Sequence, residues 1–128
     1  NSTADIKKVE EICGVMAENF LQSELGKQVQ SAVWKKEEFE FKSRFGEKIL
    51  SGIIDLVFES VDGSFTVVDY KTNQEIHPEI YYSQLACYRQ AVSQMLSVPE
   101  EKIRCFLYYL RFGKAVEISP ENLKLSDI

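Results

Sequence analysis

Two apolar stretches of the chain carry charged residues whose types and spacing suit hydrolytic chemistry. Gly52–Phe58 contains Asp55, and Phe65–Thr72 contains Asp69 and Lys71. In both stretches, the residues that would face either side of a strand are mostly apolar, which is typical of central strands buried on two faces. Because an unpaired buried carboxylate is costly, two of them require a partner for their charge, and one Lys cannot neutralise both. The pattern therefore predicts a divalent cation held by the two Asp residues, with Lys71 beside it.

The pairing register of the two strands decides whether these side chains meet. Asp69 and Lys71 share a face, about 7 Å apart, because alternate residues of a strand do so. A two-residue turn at Asp62-Gly63 places Asp55 on the other face. A three-residue loop with a left-handed Gly63 places Asp55 opposite Asp69 instead, and this is the loop that we expect. The alternative is a solvated Asp55 at a strand end and a simple Asp69–Lys71 ion pair.

A helix predicted from Pro78 to Leu96 brings further polar groups toward this site. On a helical wheel, Gln84 lies near the middle of a broad apolar arc, and Tyr88 lies one turn later. We expect Gln84 and Tyr88 over the carboxylates, within reach of a substrate phosphate or a metal-bound water. The alternative for Gln84 is a core amide bonded to backbone groups. The arc comprises Ile80, Leu85, Cys87, Tyr88, Ala91, Val92, Met95 and Leu96.

Two other side chains that often touch ligands are assigned structural roles. His77 is the only histidine and directly precedes Pro78. We expect it to cap or pack at the start of the helix rather than to contact substrate. Trp34 is expected in the core rather than as a platform on which a base stacks.

The elements that must position the site follow in the order α-α-β-β-β-α-β-β, which predicts an α/β (α+β sandwich) fold with one central mixed sheet flanked by helices. Ser2 or Thr3 caps the first helix, and Ser23 caps a second in which Gly26 is a weak point. The apolar stripe of the first helix is Ile6, Val9, Cys13, Met16 and Phe20. The predicted strands are Val33–Phe45, Lys48–Glu59, Phe65–Thr72, Ile103–Phe112 and Ala115–Ile118. The long connecting helix makes the third and fourth strands parallel neighbours.

Composition limits the classes of function. The 128 residues predict a single globular domain over residues 1–128, and the start at Asn1 predicts a fragment of a longer protein. The net charge of −5 disfavours a surface that coats nucleic acid, but it allows a nucleic-acid enzyme with an acidic site. Cys13, Cys87 and Cys105 stand far apart in apolar contexts, which predicts reduced core thiols and a cytoplasmic location. The sequence contains no signal peptide, no membrane-length apolar run and no GxxxxGK[ST] loop, so we expect any ATPase to lie outside it.

Three motifs together resemble a known family. They are Gly52-x-x-Asp55, Asp69-Tyr70-Lys71-Thr72 and Gln84-x-x-x-Tyr88. Their combination is similar to the PD-(D/E)XK superfamily, and specifically to the C-terminal nuclease module of RecB- and AddA-type helicase–nucleases of the UvrD/Rep family. Glu38-Phe39-Glu40-Phe41 resembles the acidic-aromatic strand that precedes the Gly-x-x-Asp segment there. The resemblance covers roughly residues 20–110.

The resemblance implies a restriction-endonuclease-like core that hydrolyses DNA with Mg²⁺ (or Mn²⁺). The implied metal ligands are Asp55, Asp69 and the Tyr70 carbonyl. Lys71 would orient or activate the attacking water, so the implied catalytic residues are Asp55, Asp69 and Lys71. The implied substrate contacts are Gln84, Tyr88 and Thr72. The implied partners are DNA, helicase domains in the same chain and a partner subunit.

One departure from the family pattern concerns histidine. In these nucleases a His on an early helix usually completes the metal shell, and no His precedes the first strand here. We expect that this ligand lies upstream of Asn1; the alternatives are a Glu that replaces it and an impaired site. The scattered cysteines do not match an iron–sulfur variant of the family.

Three functions fit these features. The leading hypothesis is a DNA exonuclease domain of an ATP-dependent helicase–nuclease that acts in double-strand-break repair and recombination. The second is a catalytically impaired DNA-binding or scaffold domain of the same fold. The third is a stand-alone, phage-type exonuclease. The presence of Asp55, Asp69 and Lys71 together favours activity.

Overall fold

The structure is a computed structural model that describes residues 14–125 of the chain. Residues 14–22 belong to helix α1. The other helices are α2 (Glu24–Gln30) and α3 (Tyr82–Leu96), and the strands are β1 (Trp34–Phe45), β2 (Lys48–Glu59), β3 (Phe65–Lys71), β4 (Ile103–Tyr109) and β5 (Lys114–Ile118). Single 3₁₀ turns cover Pro78–Tyr81, Glu100–Lys102 and Pro120–Asn122. The predicted order of elements is confirmed over this range. The predicted cap at Ser2 or Thr3, and the stripe residues Ile6, Val9 and Cys13, lie outside it.

The five strands form one mixed sheet in the order β1-β2-β3-β4-β5. Neighbouring strands are antiparallel except β3 and β4, which are parallel and joined through α3 as predicted. The chain has an apolar core on each face of this sheet. The α3-side core includes Ile54, Val57, Val67, Leu85, Val92 and Leu107. The α1/α2-side core includes Phe20, Leu25, Val29, Leu56, Phe58 and Tyr108. No helix within residues 14–125 has the length and apolar character needed to cross a bilayer.

The turn between α1 and α2 depends on Ser23 and Gly26. The Ser23 hydroxyl accepts a hydrogen bond from the Gly26 N–H at 3.1 Å, which confirms the predicted cap. A Cβ atom at Gly26 would lie 1.9 Å from the carbonyl oxygen of Phe20. Gly26, expected to weaken α2, is therefore required for the close approach of the two helices.

Helix α3 buries a narrower stripe than the sequence predicts. Ile80 is 65% exposed and Met95 is 44% exposed, and Gln84 is also exposed rather than central to a buried face. The predicted arc was wrong at these positions because α3 packs on β1 and β4, and these two strands cover only part of that arc. Arg89 is buried instead, and its guanidinium donates to the Glu100 carbonyl oxygen at 3.0 Å.

Three further expectations have mixed outcomes. Trp34 lies at the edge of the core, 37% exposed, and contacts Phe39 and Phe65, so its predicted burial was wrong in part. His77 occupies the predicted position at the start of the Pro78–Tyr81 turn, where its carbonyl oxygen accepts from the Ile80 N–H, but its side chain is exposed near Glu75 and Glu79 and makes no capping hydrogen bond. Cys87 and Cys105 are free thiols, and burial raises the pKa of Cys105 to about 12. The remaining thiol, Cys13, lies outside the described residues.

Candidate active site

The hairpin between β2 and β3 has the predicted three-residue loop. The Ser60 N–H donates to the Ser64 carbonyl oxygen at 2.9 Å, and the Gly63 N–H donates to the Ser60 carbonyl oxygen at 2.9 Å. Gly63 has a φ of 89°, in the region that glycine adopts without strain. Leu56 pairs with Val68, and the same register sets Asp55 opposite Asp69. The expected register is therefore confirmed.

The alternation of β2 is interrupted at Asp55, which the sequence did not predict. Ile54 and Val57 both belong to the α3-side core, whereas Leu56 belongs to the α1/α2-side core. The facing strand is irregular at the same point, since Glu38 has a φ of 50° and the Glu38–Asp55 pair is missing from an otherwise continuous ladder. Asp55 therefore lies at a kink shared by both strands and does not follow the regular two-face alternation that we assumed.

The Asp55 carboxylate closes the end of the β2–β3 ladder. Its Oδ2 accepts a hydrogen bond from the Tyr70 backbone N–H at 2.7 Å, and the ladder itself stops at Leu56–Val68. The Lys71 carbonyl oxygen accepts from the Leu110 N–H on the other edge of β3. Because successive carbonyls of a strand point in opposite directions, the Tyr70 carbonyl is directed to the Asp55 side. Strands β2 and β3 thus separate where the Asp55 carboxylate and the Tyr70 carbonyl, two of the implied metal ligands, lie.

Asp69 is more buried than Asp55, the other acid at this opening between the strands. Its side chain is 8% exposed, and its Oδ2 lies 2.7 Å from Lys71 Nζ. Apart from this ammonium, no donor within residues 14–125 bonds to Oδ2. Burial raises the pKa of Asp69; Lys71 opposes the rise, and the negative Asp55 adds to it. Asp69 is therefore a desolvated carboxylate whose Oδ2 has the Lys71 ammonium as its one donor among the described residues.

Of the two predicted side chains of α3, Gln84 contacts Lys71 and Tyr88 contacts Gln84. The Lys71 ammonium donates to Gln84 Oε1 at 3.3 Å, and Gln84 Nε2 donates to the Tyr88 hydroxyl at 3.1 Å. Burial, followed by the charges of Asp69 and Asp55, raises the pKa of Tyr88. The expected convergence of Gln84 and Tyr88 on the carboxylate site is thus present, but Gln84 is exposed and binds the Lys rather than backbone groups.

Packing explains why residue 52, the first of the Gly-x-x-Asp segment, is a glycine. A Cβ atom at Gly52 would lie 2.9 Å from Cε2 of the Phe41 ring, on the neighbouring strand. The Phe41 ring packs edge-on against Tyr88, with 5.6 Å between the ring centroids. The absent side chain at Gly52 therefore leaves room for the ring that supports Tyr88, and through Tyr88 the Gln84 amide.

Thr72 and the Tyr70 ring are not brought to the same place. Both line an apolar cavity of about 390 Å³ beneath α1, together with Phe20 and Leu110. Burial, with the charges of Glu37 and Asp55, raises the pKa of Tyr70 to about 12. The Arg111 guanidinium donates to the Thr72 carbonyl oxygen at 2.6 Å. The Tyr70 backbone N–H, and not its ring, contacts the Asp55 carboxylate, and the Thr72 side chain does not join the Asp69–Lys71 group.

Several residues near the site were missed in the sequence. Glu37 and Glu38 line a surface depression with Asp55 and Tyr70, and the left-handed φ of Glu38 has no signature in an alternating strand pattern. The Tyr81 ring lies 3.9 Å from Lys71 Nζ. Tyr81 precedes Gln84 by three residues, so its position on the same side of the helix start could have been found from helical spacing.

The donors at the site fit a hard divalent cation. Mg²⁺ and Mn²⁺ prefer carboxylate, carbonyl and water oxygens, and Mg²⁺ is commonly held by one or two carboxylates with several waters retained. Asp55, Asp69 and the Tyr70 carbonyl supply such oxygens, and Asp69 Oδ2 has no donor other than Lys71 among residues 14–125. Within residues 14–125, no three His, Cys, Asp or Glu side chains converge on a common point. This part of the chain therefore offers two carboxylates and no complete protein shell.

Comparisons with known proteins bear on the family and the fold of this chain. The family model described as the PD-(D/E)XK nuclease superfamily, whose members generally use divalent metals, matches residues 3–126. An ATP-dependent helicase/nuclease subunit from Limosilactobacillus fermentum is 35% identical in an 83-residue alignment, and the match covers 57% of this chain and 6% of that protein. A crystal structure of a candidate exonuclease from Eubacterium rectale has a TM-score of 0.59 at 15% identity, covering 96% of this chain and 48% of its own. The likeness to that structure shows the fold, and the chain spans only a small part of the helicase/nuclease protein.

The raised pKa of Asp69 predicts how stability depends on pH without a cation. The folded protein holds the Asp69 proton more tightly than the unfolded chain, whose pKa is near 3.8. The contribution of the protonated Asp69 to the stability of the fold is therefore fully present below pH 3.8, and it is lost as the pH rises through the pKa of Asp69 in the folded protein. We expect Asp69→Asn to remove this loss and to raise the unfolding temperature at pH 7 by roughly 2–5 °C, measured by thermal melts in EDTA.

Asp62→Asn is the matched control, because the Ser64 hydrogen bonds lower the pKa of Asp62. Its contribution has the opposite sign: it is present at neutral pH and is lost as the pH falls. Asp62→Asn should therefore not raise the unfolding temperature at pH 7. An Asp69→Asn variant no more stable than wild type would contradict the account of Asp69.

The packing at Gly52 predicts a second result. Gly52→Ala should lower the free energy of unfolding by about 1–3 kcal/mol, because the new methyl group meets the Phe41 ring. Urea denaturation measures the loss. Phe41→Leu in the Gly52→Ala background removes the clash, so the double variant should be more stable than the sum of the single changes. If the changes in the free energy of unfolding are strictly additive, the Phe41 ring is not the cause of the destabilisation by Gly52→Ala.

Proposed function

The chain belongs to the PD-(D/E)XK nuclease superfamily, and we propose that it is a DNA nuclease domain that hydrolyses phosphodiester bonds with bound Mg²⁺ or Mn²⁺. The observation that carries the proposal is the meeting of Asp55, Asp69 and Lys71 where β2 and β3 separate. We infer that Asp55, Asp69 and the Tyr70 carbonyl hold the metal, and that Asp55, Asp69 and Lys71 are the catalytic residues.

The chemistry divides between the metal and the protein. The metal, when bound, lowers the pKa of a coordinated water and offsets the negative charge of the transition state. Asp69 contributes a desolvated carboxylate whose charge is only partly balanced by Lys71. The Lys71 ammonium lies beside that carboxylate, where it can donate to the attacking water or to a phosphate oxygen. Gln84 holds the ammonium from the other side.

The substrate contacts follow from the same geometry. Gln84 is exposed and Tyr88 is half-buried, and the two side chains are joined by a hydrogen bond one turn apart on α3. We propose that their amide and hydroxyl groups donate to the phosphate backbone of DNA next to the cleaved bond. For Thr72 we propose only that its backbone, fixed by Arg111, helps to hold the end of β3.

The similarity to a helicase/nuclease protein supports a larger context. We propose that the chain is the nuclease part of an ATP-dependent helicase–nuclease that acts with a partner subunit in double-strand-break repair and recombination. The 35% identity to the bacterial helicase/nuclease supports this, and the sequence carries no nucleotide-binding Gly-rich loop of its own. The free thiols of Cys87 and Cys105 support a cytoplasmic location.

A nuclease assay on the full chain tests the proposal. Linear single- and double-stranded DNA should be cleaved with Mg²⁺ or Mn²⁺ and not in EDTA. Lys71→Ala and Asp69→Ala should each reduce kcat by about 100-fold or more, because each removes a group that acts in the transition state. Gel analysis of end-labelled DNA measures the rates.

Lys102→Ala is the matched control for Lys71→Ala. Lys102 is an exposed Lys that precedes β4, at the opposite end of the parallel pair from Lys71. Its loss should leave kcat within about twofold of wild type, as expected for a surface substitution away from the site. Cleavage that survives both Lys71→Ala and Asp69→Ala would rule out this active site.

A further inference from the structure

The Lys71 ammonium is held from three directions. Asp69 Oδ2 lies at 2.7 Å, Gln84 Oε1 at 3.3 Å, and the Tyr81 ring centroid at 3.9 Å. A cation over the face of an aromatic ring is attracted by the negative charge density of that face. The side chain of Lys71 is 15% exposed, so this attraction acts with little competing water. Tyr81 is thus a third partner for the ammonium, and the only one of the three without an oxygen directed at it.

Metal binding changes the balance among these partners. Asp69 is the strongest partner of Lys71 in the metal-free chain, but it is also a proposed metal ligand. A divalent cation on Asp69 draws on the same carboxylate charge and repels the ammonium. Lys has a flexible four-carbon chain and loses entropy when it is fixed in one position. Without another anchor, the ammonium would move away from the site just when the metal arrives.

The Tyr81 ring is itself fixed. Asn73 Nδ2 donates to the Tyr81 hydroxyl at 2.6 Å, joining the segment after β3 to the start of α3. Tyr81 ends the 3₁₀ turn Pro78–Tyr81 and directly precedes α3, and its side chain packs against the α3-side core. A ring held at both its face and its hydroxyl can keep a flexible ammonium in place.

We propose that Tyr81 is a positioning residue that keeps the Lys71 ammonium at the active site when a divalent cation occupies Asp69. Gln84 assists through its carbonyl oxygen, and Asn73 assists by fixing the Tyr81 hydroxyl. This inference rests on the proposed function. It goes beyond that proposal in naming the group that holds the catalytic Lys once its carboxylate partner is engaged by metal.

Nuclear magnetic resonance tests the position of the ammonium without any cleavage. Protons of the Lys71 ε-methylene that lie over an aromatic ring are shifted upfield by the ring current, and a Lys71→Met variant identifies their signal. In the full chain without DNA, we expect the upfield shift both in EDTA and at saturating Mg²⁺. Tyr81→Phe should keep it, because the ring remains, and Tyr81→Leu should lose it. Tyr82→Leu, which removes the neighbouring ring, should keep it.

Kinetics with DNA provide the second arm. At saturating DNA and Mg²⁺, Tyr81→Leu should lower kcat by about 3- to 30-fold, the range expected for loss of a partly desolvated cation–π contact. The KM for DNA and the Mg²⁺ midpoint should not change, because Asp55 and Asp69 remain. Tyr81→Phe should restore most of the rate, and thermal melts show whether either variant is misfolded.

The outcomes separate this inference from the proposed function. If Mg²⁺ shifts the Asp55 and Asp69 signals but also moves Lys71 away from the ring, the inference alone is overturned. A Tyr81→Leu variant with wild-type kcat overturns it as well. If Mg²⁺ shifts neither Asp signal, the proposed function fails and the inference fails with it.

Discussion

The hydrogen bond from the Tyr70 backbone N–H to the Asp55 carboxylate is the contact on which the site depends. In a continuous ladder, that N–H would bond to a carbonyl of β2, and the two strands would stay together. Here a side-chain oxygen takes its place at 2.7 Å, and the ladder ends at Leu56–Val68, two residue pairs before Tyr70. The backbone donor is still satisfied, as a half-buried N–H requires, while the strands are free to separate. The opening that results receives the Asp55 and Asp69 carboxylates and the Tyr70 carbonyl.

Burial of Asp69 gives the opening its electrostatic character. The Asp69 carboxylate has one close cation, Lys71, and its Oδ2 has no other donor among the described residues, so its charge is only partly compensated in the metal-free chain. A buried carboxylate whose charge is only partly compensated lowers the stability of the fold. Natural proteins retain such residues mainly at functional sites. Under the proposed function, a divalent cation would relieve this cost, so one arrangement would cause both the local instability and the affinity for metal.

Support for Lys71 extends well outside the carboxylates. The Gly52 backbone leaves space for the Phe41 ring, which packs on Tyr88, and Tyr88 accepts from the Gln84 amide. Gln84 in turn accepts from Lys71. Motif residues that are distant along the chain therefore act on one ammonium group. The spacing of these motifs reflects packing as much as chemistry.

Much of the site could be predicted from the sequence because strand alternation and loop length determine which residues face each other. The left-handed Gly63 and the odd loop length set Asp55 opposite Asp69, and helical spacing placed Gln84 one turn from Tyr88. The kink at Glu38 and Asp55 could not be predicted, because it is created by two strands together and neither shows it alone. The exposure of Gln84 and Ile80 was missed for a similar reason: a wheel shows which residues share a helix face but not which part of that face a neighbouring element covers.

The most direct test of the central claim is anomalous X-ray diffraction from crystals of the chain soaked in Mn²⁺. The account predicts an anomalous peak between the Asp55 and Asp69 carboxylates, with oxygens of both at about 2.0–2.3 Å, the range for a hard divalent cation. Lys71 should remain beside it, against the Tyr81 ring. A peak bound only by Glu37 and Glu38, or no peak at Asp69 when Mn²⁺ is in excess, would contradict the account.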